Sequence, residues 1–348
     1  SGKILKSKII LKNIFKNKLI DKPIKKILFE EIKLKINFNK SNKNLLMLDG
    51  FYSTDGSNYK KFKIKNNLKK NNQNYLIDLN LSENFFFEVI NFRIGAKKTT
   101  NIKSEIEIKN NKFIFKSLNL TEGKNFLSIK GLVLSRKNEV KKIDSIELIT
   151  FNKNKENNNF KIDFKKKIII SGKKYDSTNL LKILSKDNNS KLLKDFNSEV
   201  EVQLTDVITK SQIPLNNFNL LGKIEKGKFT KISAKSEFSK DKYFDVSLTK
   251  DSNNKKILEV YSDLPQALLA DYKFFEGIKG GKLLYSSLIS ESGSNSKLVI
   301  ENFKVNKAPA FATLLTLADF SGIADLLSGQ GMSFDILEIK FKDDDNLT

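Results

Sequence analysis

Few residues in this chain of 348 amino acids could carry out enzyme chemistry. Histidine and cysteine are both absent, which excludes a Ser/His/Asp triad, a thiolate nucleophile and most zinc or iron sites. Carboxylates occur in groups such as Glu30-Glu31 and 343–345, but nothing around them suggests acid/base catalysis. Gly277, Gly280 and Gly281 precede a predicted strand and lack the Lys-Ser/Thr of a phosphate-binding loop. We therefore expect neither an enzyme nor a bound cofactor or metal.

The net charge of +23 would ordinarily point to nucleic acid or an anionic membrane. Of the 63 basic residues only Arg93 and Arg136 are arginine. Arginine is the residue type whose guanidinium group forms bidentate hydrogen bonds with bases and phosphates. Nucleic-acid binding through lysines would also need a concentrated basic patch with exposed aromatic rings. The phenylalanines mainly occupy inward positions of predicted strands, so we attribute the charge to solvated faces and expect no nucleic-acid partner.

The first part of the chain has the period-two pattern of half-buried strands. Ile32, Leu34 and Ile36 alternate with lysines, and a similar alternation returns at 75–81. Turn signals such as Glu122-Gly123 separate these segments at short intervals. The pattern predicts an antiparallel meander with one apolar face.

The second part continues the strands but interrupts them with short apolar helices. These helices are predicted near 177–185, 264–275 and 308–327, the last being a helical hairpin whose first turn holds Pro309. The asparagine-rich segment 152–159 is the best candidate for a linker. It divides the chain into a β-rich segment at 1–159 and a second segment at 160–348.

The second part contains several short motifs. Gly172, Asp176 and Leu180-Leu181 come first, followed by Gly280-Gly281-Lys282-Leu283. The most specific motifs are Asn302-Phe303, Ala308-Pro309-Ala310, Leu314-Leu315, Ser321-Gly322, Leu326-Leu327-Ser328-Gly329, Gly331 and Ser333-Phe334. Together these motifs resemble the last domain of the AsmA-like family, most closely its YhdP branch within the YhdP and TamB group. The resemblance covers roughly residues 160–341, whereas the first 150 residues fit only in composition and strand rhythm.

The resemblance implies a mainly β fold, in which a long twisted antiparallel sheet curls into a groove. It also implies a segment of a larger protein of the bacterial periplasm, involved in phospholipid transport between the inner and outer membranes. An inner-membrane anchor would lie outside this sequence, which has no uncharged apolar run of about 18 residues. The implied partners are phospholipid acyl chains, one or both membranes, and envelope proteins that the sequence does not identify.

An apolar groove would offset the cost of moving an acyl chain through water, which is ~13 kcal/mol for ~16 methylenes at ~0.8 kcal/mol each. Alternating apolar residues are also typical of an ordinary core, so a structural spacer with a filled β interior is the alternative function. The predicted groove lining is Val200, Val202, Leu204, Phe218, Leu220, Phe229, Ile232, Phe244, Val246 and Leu248. The predicted helical hairpin at the groove end, which could plug it or contact a membrane, contributes Pro309, Leu314, Leu315, Leu317, Ile323, Leu326 and Leu327.

Overall fold

The computed structural model is mainly β, with 76% of the described residues in strands and 4% in helices. It describes residues 1–15, 23–38, 45–67, 73–81, 83–95, 99–180, 196–251, 255–270, 272, 275–290, 293–306 and 331–344. Two compact units divide the chain, unit 1 at Ser1–Lys165 and unit 2 at Lys166–Thr348. The mainly β class predicted from alternation is confirmed, because the period-two pattern places one side chain in two on the same face of each strand.

Unit 1 is an antiparallel meander. Its strands are β1 Gly2–Phe15, β2 Ile24–Asn37, β3 Leu45–Ser53, β4 Lys60–Asn66, β5 Gln73–Asn80, β6 Phe85–Phe87, β7 Phe92–Ile94, β8 Asn101–Lys109, β9 Lys112–Glu122, β10 Asn125–Ser135, β11 Val140–Lys142, β12 Ser145–Asn152 and β13 Lys155–Phe164. Each strand pairs with the next along the chain, apart from the separate β6–β7 hairpin and the short strand β11, which lies at the side of β10. A single 3-10 turn, Glu88–Ile90, forms the tip of the β6–β7 hairpin.

Unit 2 is also strand-rich, and its described residues contain one short helix. Its elements are β14 Ile168–Asp176, β15 Ser198–Ile208, β16 Pro214–Glu225, β17 Lys228–Ser239, β18 Lys242–Lys250, β19 Lys256–Ser262, α1 Pro265–Leu269, β20 Ile278–Ser290, β21 Gly293–Val305 and β22 Met332–Asp344. Pairing is antiparallel from β15 through β22. By contrast, β14 and β15 run parallel.

The parallel pair corrects the prediction of a purely antiparallel sheet. Parallel neighbours need a crossover of roughly a dozen residues or more, and residues 177–197 supply that length between β14 and β15. Alternation within a strand carries no information about the direction of its neighbour. The sheet of unit 2 is therefore mixed, with one parallel pairing at its first strand.

Two further predictions about elements change. Segment 152–159 is a tight hairpin and not a linker: β12 and β13 flank a turn at Lys153 and Asn154, which both have positive φ. Helix α1 is shorter than predicted, because after Leu269 the Tyr272 and Phe275 N–H groups bond three residues back and the α-helical spacing is lost. Predicted helices 177–185 and 308–327 lie outside the described residues, apart from a turn at 177–180.

Candidate functional site

One face of unit 2 is apolar across every strand from β14 to β22, and we call it the unit 2 apolar face. Residues paired across neighbouring strands project to the same side of a sheet, so the pairing register identifies rows of side chains that share a face. The central row runs through Ile170, Val202, Leu220, Ala234, Val246, Val260, Tyr285, Leu298 and Ile339. No charged side chain interrupts it.

The structure places all of the predicted lining residues on this face. Val200, Val202, Leu204, Phe244 and Leu248 are buried. The remaining lining residues Phe218, Leu220, Ile232 and Val246 are half-buried.

Phe229 is the most exposed of the predicted lining residues, at 37%. It sits beside a β-bulge where β16 pairs with β17, and its ring lies over Gly222: a Cβ at Gly222 would stand 3.0 Å from the Phe229 ring. Glycine at 222 therefore leaves room for the ring on the apolar face. Contact of any of these side chains with lipid stays a prediction.

The sequence prediction missed the part of this face that β19 to β22 provide. Its members are Leu258, Val260, Leu283, Tyr285, Leu298 and Ile300, which follow the same pairing rows. Their alternation was visible in the sequence, as in Leu283 and Tyr285 on either side of Leu284. The local pattern was therefore sufficient to find them, although only pairing shows that they continue the rows.

Unit 1 has an equivalent surface, the unit 1 apolar face. Its central row runs from β2 to β13 through Leu34, Leu48, Ile64, Ile77, Ser104, Leu118, Ile129, Ile146 and Ile162. Ser104 is the polar exception, and its hydroxyl donates a hydrogen bond to the Ser117 carbonyl at 2.9 Å. The hydroxyl of Ser104 is therefore already hydrogen-bonded to the backbone, and it does not add an unpaired polar group to the row.

The opposite face of each unit is polar and carries cross-strand ion pairs. Examples are Lys116 with Glu105 at 2.8 Å in unit 1, and Lys297 with Glu338 at 2.9 Å in unit 2. The hydrogen bond to Glu105 raises the pKa of Lys116. Exposed pairs of this kind contribute little stability. Their effect is to keep this side of each sheet in water while the apolar rows point the other way.

A small core closes one end of the unit 2 apolar face. We call this the helix end, where β14, β19 and β21 finish and α1 begins. Leu269 of α1 packs there with Ile300, Phe303 and Val305, which are at most 1% exposed. The connection 306–331, which contains the predicted helical hairpin, starts and finishes at this same end, but Pro309 and the predicted leucines lie outside the described residues.

The β6–β7 hairpin covers one end of the unit 1 apolar face in a similar way. Phe92 and Ile94 pack with Leu120 of the sheet, and all three are buried. The hairpin is also fixed by hydrogen bonds, because the Asn158 amide donates to the Ile90 carbonyl at 2.8 Å. Each unit thus has an apolar face covered at one end by a short additional element.

Two kinds of feature are absent from the part of the chain that the structure describes. In those residues no group of three or more acidic side chains is arranged to hold a metal ion. Nor does any helix in the same residues have both the length and the apolar character needed to cross a bilayer. Comparison with protein-family models, with curated proteins and with solved structures found no match to this chain.

Proposed function

We propose that this chain is a segment of an AsmA-like protein of the bacterial envelope, in which the apolar faces shield phospholipid acyl chains during transport between the inner and outer membranes. In this proposal each sheet curls into a groove whose apolar face lines the interior. The larger protein is located in the periplasm and is anchored to the inner membrane by a segment outside this sequence. The sequence motifs at 160–341 support the family assignment.

The observation that carries the proposal is the unbroken apolar row of unit 2. It crosses every strand from β14 to β22 without a charged or hydrogen-bonding member other than the Tyr285 hydroxyl. At about 4.8 Å between strands, a row of this kind is about 38 Å wide. An extended acyl chain lying across the strands would therefore meet apolar side chains along its full length.

The free energy at stake is large enough to matter for transport. Moving one acyl chain of ~16 methylenes into water costs ~13 kcal/mol at ~0.8 kcal/mol for each methylene. A lining such as Val202, Leu220 and Val246 offsets this cost at every position along the face, and the polar headgroup can stay in water. Such shielding needs no catalytic residue.

The alternative function is a structural spacer of the envelope with a filled β interior and no lipid cargo. Burial at the middle of the face favours it, since Ala234 is 2% exposed and Leu204 is 5% exposed. In a spacer, these side chains are covered permanently by protein. In a lipid conduit, the half-buried members of the same rows, such as Leu220 and Val246, are covered by acyl chains.

Leu220 and Leu221 provide a matched pair of substitutions for the test. They are neighbours on β16, but Leu220 lies in the apolar row and Leu221 is 63% exposed on the opposite face. Each variant, Leu220→Asp and Leu221→Asp, would be produced in a bacterial envelope, purified, and examined by native mass spectrometry and by extraction of bound lipid.

We expect phospholipid to copurify with the parent protein and with Leu221→Asp, and to be lost from Leu220→Asp. Circular dichroism would confirm that each variant keeps its strand content, and Val246→Asp provides a second variant on the same row if Leu220→Asp fails to fold. A folded parent protein that carries no lipid would instead support the spacer.

A further inference from the structure

The unit 2 apolar face ends in lysines at the side opposite the helix end. We call this side the turn end, where β16 turns into β17 and where β18 finishes. Lys250 and Lys256 pair directly with each other, two residues beyond the pair Leu248 and Leu258 that belongs to the apolar rows. Because side chains alternate between the two faces of a strand, residues two positions apart lie on the same face. The two lysines are therefore on the apolar side of the sheet.

Lys256 extends across its neighbouring strand and over the end of the face. Its ammonium group donates a hydrogen bond to the Phe229 carbonyl on β17 at 2.8 Å, although Lys256 itself is on β19. Strands β17 and β19 flank β18 and are therefore about 10 Å apart. The side chain thus places its charge at the end of β18, close to Lys250 and to Lys228. Lys228 pairs with Glu225 and precedes Phe229, so by alternation it approaches this end from the polar side of the sheet. We call Lys228, Lys250 and Lys256 the lysine cluster.

The cluster brings like charges together next to apolar side chains. Burial lowers the pKa of Lys256, and repulsion from Lys228 and Lys250 lowers it further. Among the described residues nearby, Glu225 is paired in register with Lys228 and forms an ion pair with Lys223 at 2.7 Å. The hydrogen bond from Lys223 lowers the pKa of Glu225, and the charge of Lys250 also contributes. Crowded cations are stabilised by an anion that binds between them.

The open cleft of about 650 Å³ at the turn end is bordered by Lys250, but also by Glu199 and Glu225. The anion is therefore expected outside this cleft, where Lys256 reaches over the end of β18. The nearest residues inward along the sheet are Leu248, Leu258 and Phe229, so a ligand held by the lysines would have apolar side chains directly beneath it.

We propose that the lysine cluster binds the anionic headgroup of an amphiphile whose acyl chain lies on the unit 2 apolar face. This inference rests on the proposed function and adds a preference among lipids: a phosphate diester with a net negative charge is favoured over a zwitterionic headgroup. A lysine ammonium is a compact charge with three donors, which suits the exposed oxygens of such a headgroup. The headgroup therefore stays at the turn end, and from there the acyl chain extends over the apolar rows.

The test compares lysophosphatidylglycerol with lysophosphatidylcholine of the same acyl chain, each titrated calorimetrically into the full chain below its micelle concentration. We expect the anionic lipid to bind at least about tenfold more tightly, and the difference to shrink in about 0.5 M salt. The variant Lys228→Gln, Lys250→Gln, Lys256→Gln should lose this preference and keep its affinity for lysophosphatidylcholine. A control with the same charge change, Lys231→Gln, Lys235→Gln, Lys242→Gln, should retain the preference.

The possible failures separate the two proposals. Equal affinity for the two lysolipids, or a preference that survives in the cluster variant, would overturn the headgroup site while leaving the apolar face as a lipid site. Glycerol 1-phosphate tests the free anion, and binding as tight as that of lysophosphatidylglycerol would mean that the acyl chain contributes nothing. Absence of binding by either lysolipid would overturn both proposals together.

Discussion

Asn157 and Asn158 are buried polar residues in a segment whose composition is typical of a linker. The side-chain oxygen of Asn157 accepts a hydrogen bond from the Thr150 hydroxyl at 2.7 Å, and the side-chain amide of Asn158 donates to the Thr150 hydroxyl and to the Ile90 carbonyl. From its sequence alone, an asparagine-rich segment is predicted to be a solvent-exposed linker. Its partners lie on β12 and on the hairpin tip, and no local pattern reveals them, which is why the linker interpretation was wrong.

The Asn158 network leads to a prediction at this scale. Replacing Asn158 with alanine leaves the Ile90 carbonyl without that donor, and we expect a loss of about 1–3 kcal/mol in the free energy of unfolding. Asn159→Ala is the matched control, since the Asn159 amide donates to Glu156 at the half-buried edge of the strand and should cost less than about 0.5 kcal/mol. Urea denaturation would measure both, and equal losses would show that the buried network does not hold the hairpin.

At the scale of elements, the residues that support the family resemblance form a kink across β20, β21 and β22. On β21 the buried positions change from Leu298 and Ile300 to Phe303 and Val305, and Asn302 between them has φ of 52°. On β20, the residues beside this point of β21 are Gly280 and Gly281, and both have positive φ. The change of buried positions keeps apolar side chains on one face beyond the kink. There the Phe303 ring stacks on the Phe334 ring, with 5.2 Å between the ring centroids.

Gly280 and Gly281 allow this kink to be tested with neighbouring substitutions. A Cβ at Gly281 would lie 2.7 Å from the Glu301 carbonyl oxygen, whereas a Cβ at Gly280 would meet nothing within 4 Å. Both alanine variants must adopt positive φ, which costs about 1–2 kcal/mol. We expect Gly281→Ala to lose a further 1–3 kcal/mol, approximately, because backbone atoms must move. Equal unfolding free energies for the two variants would contradict the close approach.

Element types were predictable from the sequence more readily than element partners. Alternation in residues such as Val200, Val202 and Leu204 is a local property, so it identified strands and their apolar sides. The parallel direction of β14 relative to β15 depends on the path of residues 177–197, which the alternation does not encode. Helix α1 was predicted from Pro265 and the following leucines, but its length depends on hydrogen bonds near Leu269 that composition does not determine.

At the scale of the whole molecule, each unit presents one apolar and one polar, lysine-rich face. This arrangement follows from alternation combined with pairing that keeps apolar residues opposite each other, as with Val246 and Val260 on one side, while Asp245 and Tyr261 pair on the other. Neither the composition nor the charge of +23 could reveal it. The two units therefore repeat one physical design, and the proposed function depends on it.

The most direct test of the account is to map where an acyl chain touches the protein. A phospholipid carrying a diazirine near the end of one acyl chain would be irradiated with the full chain, and adducts located by peptide mass spectrometry. We expect adducts on inward residues such as Leu220, Val246 and Val260, and none on their outward neighbours Leu221 and Ser247. Equal labelling of both faces, or no labelling above that seen with excess unlabelled lipid, would contradict the assignment of the apolar face as a lipid site.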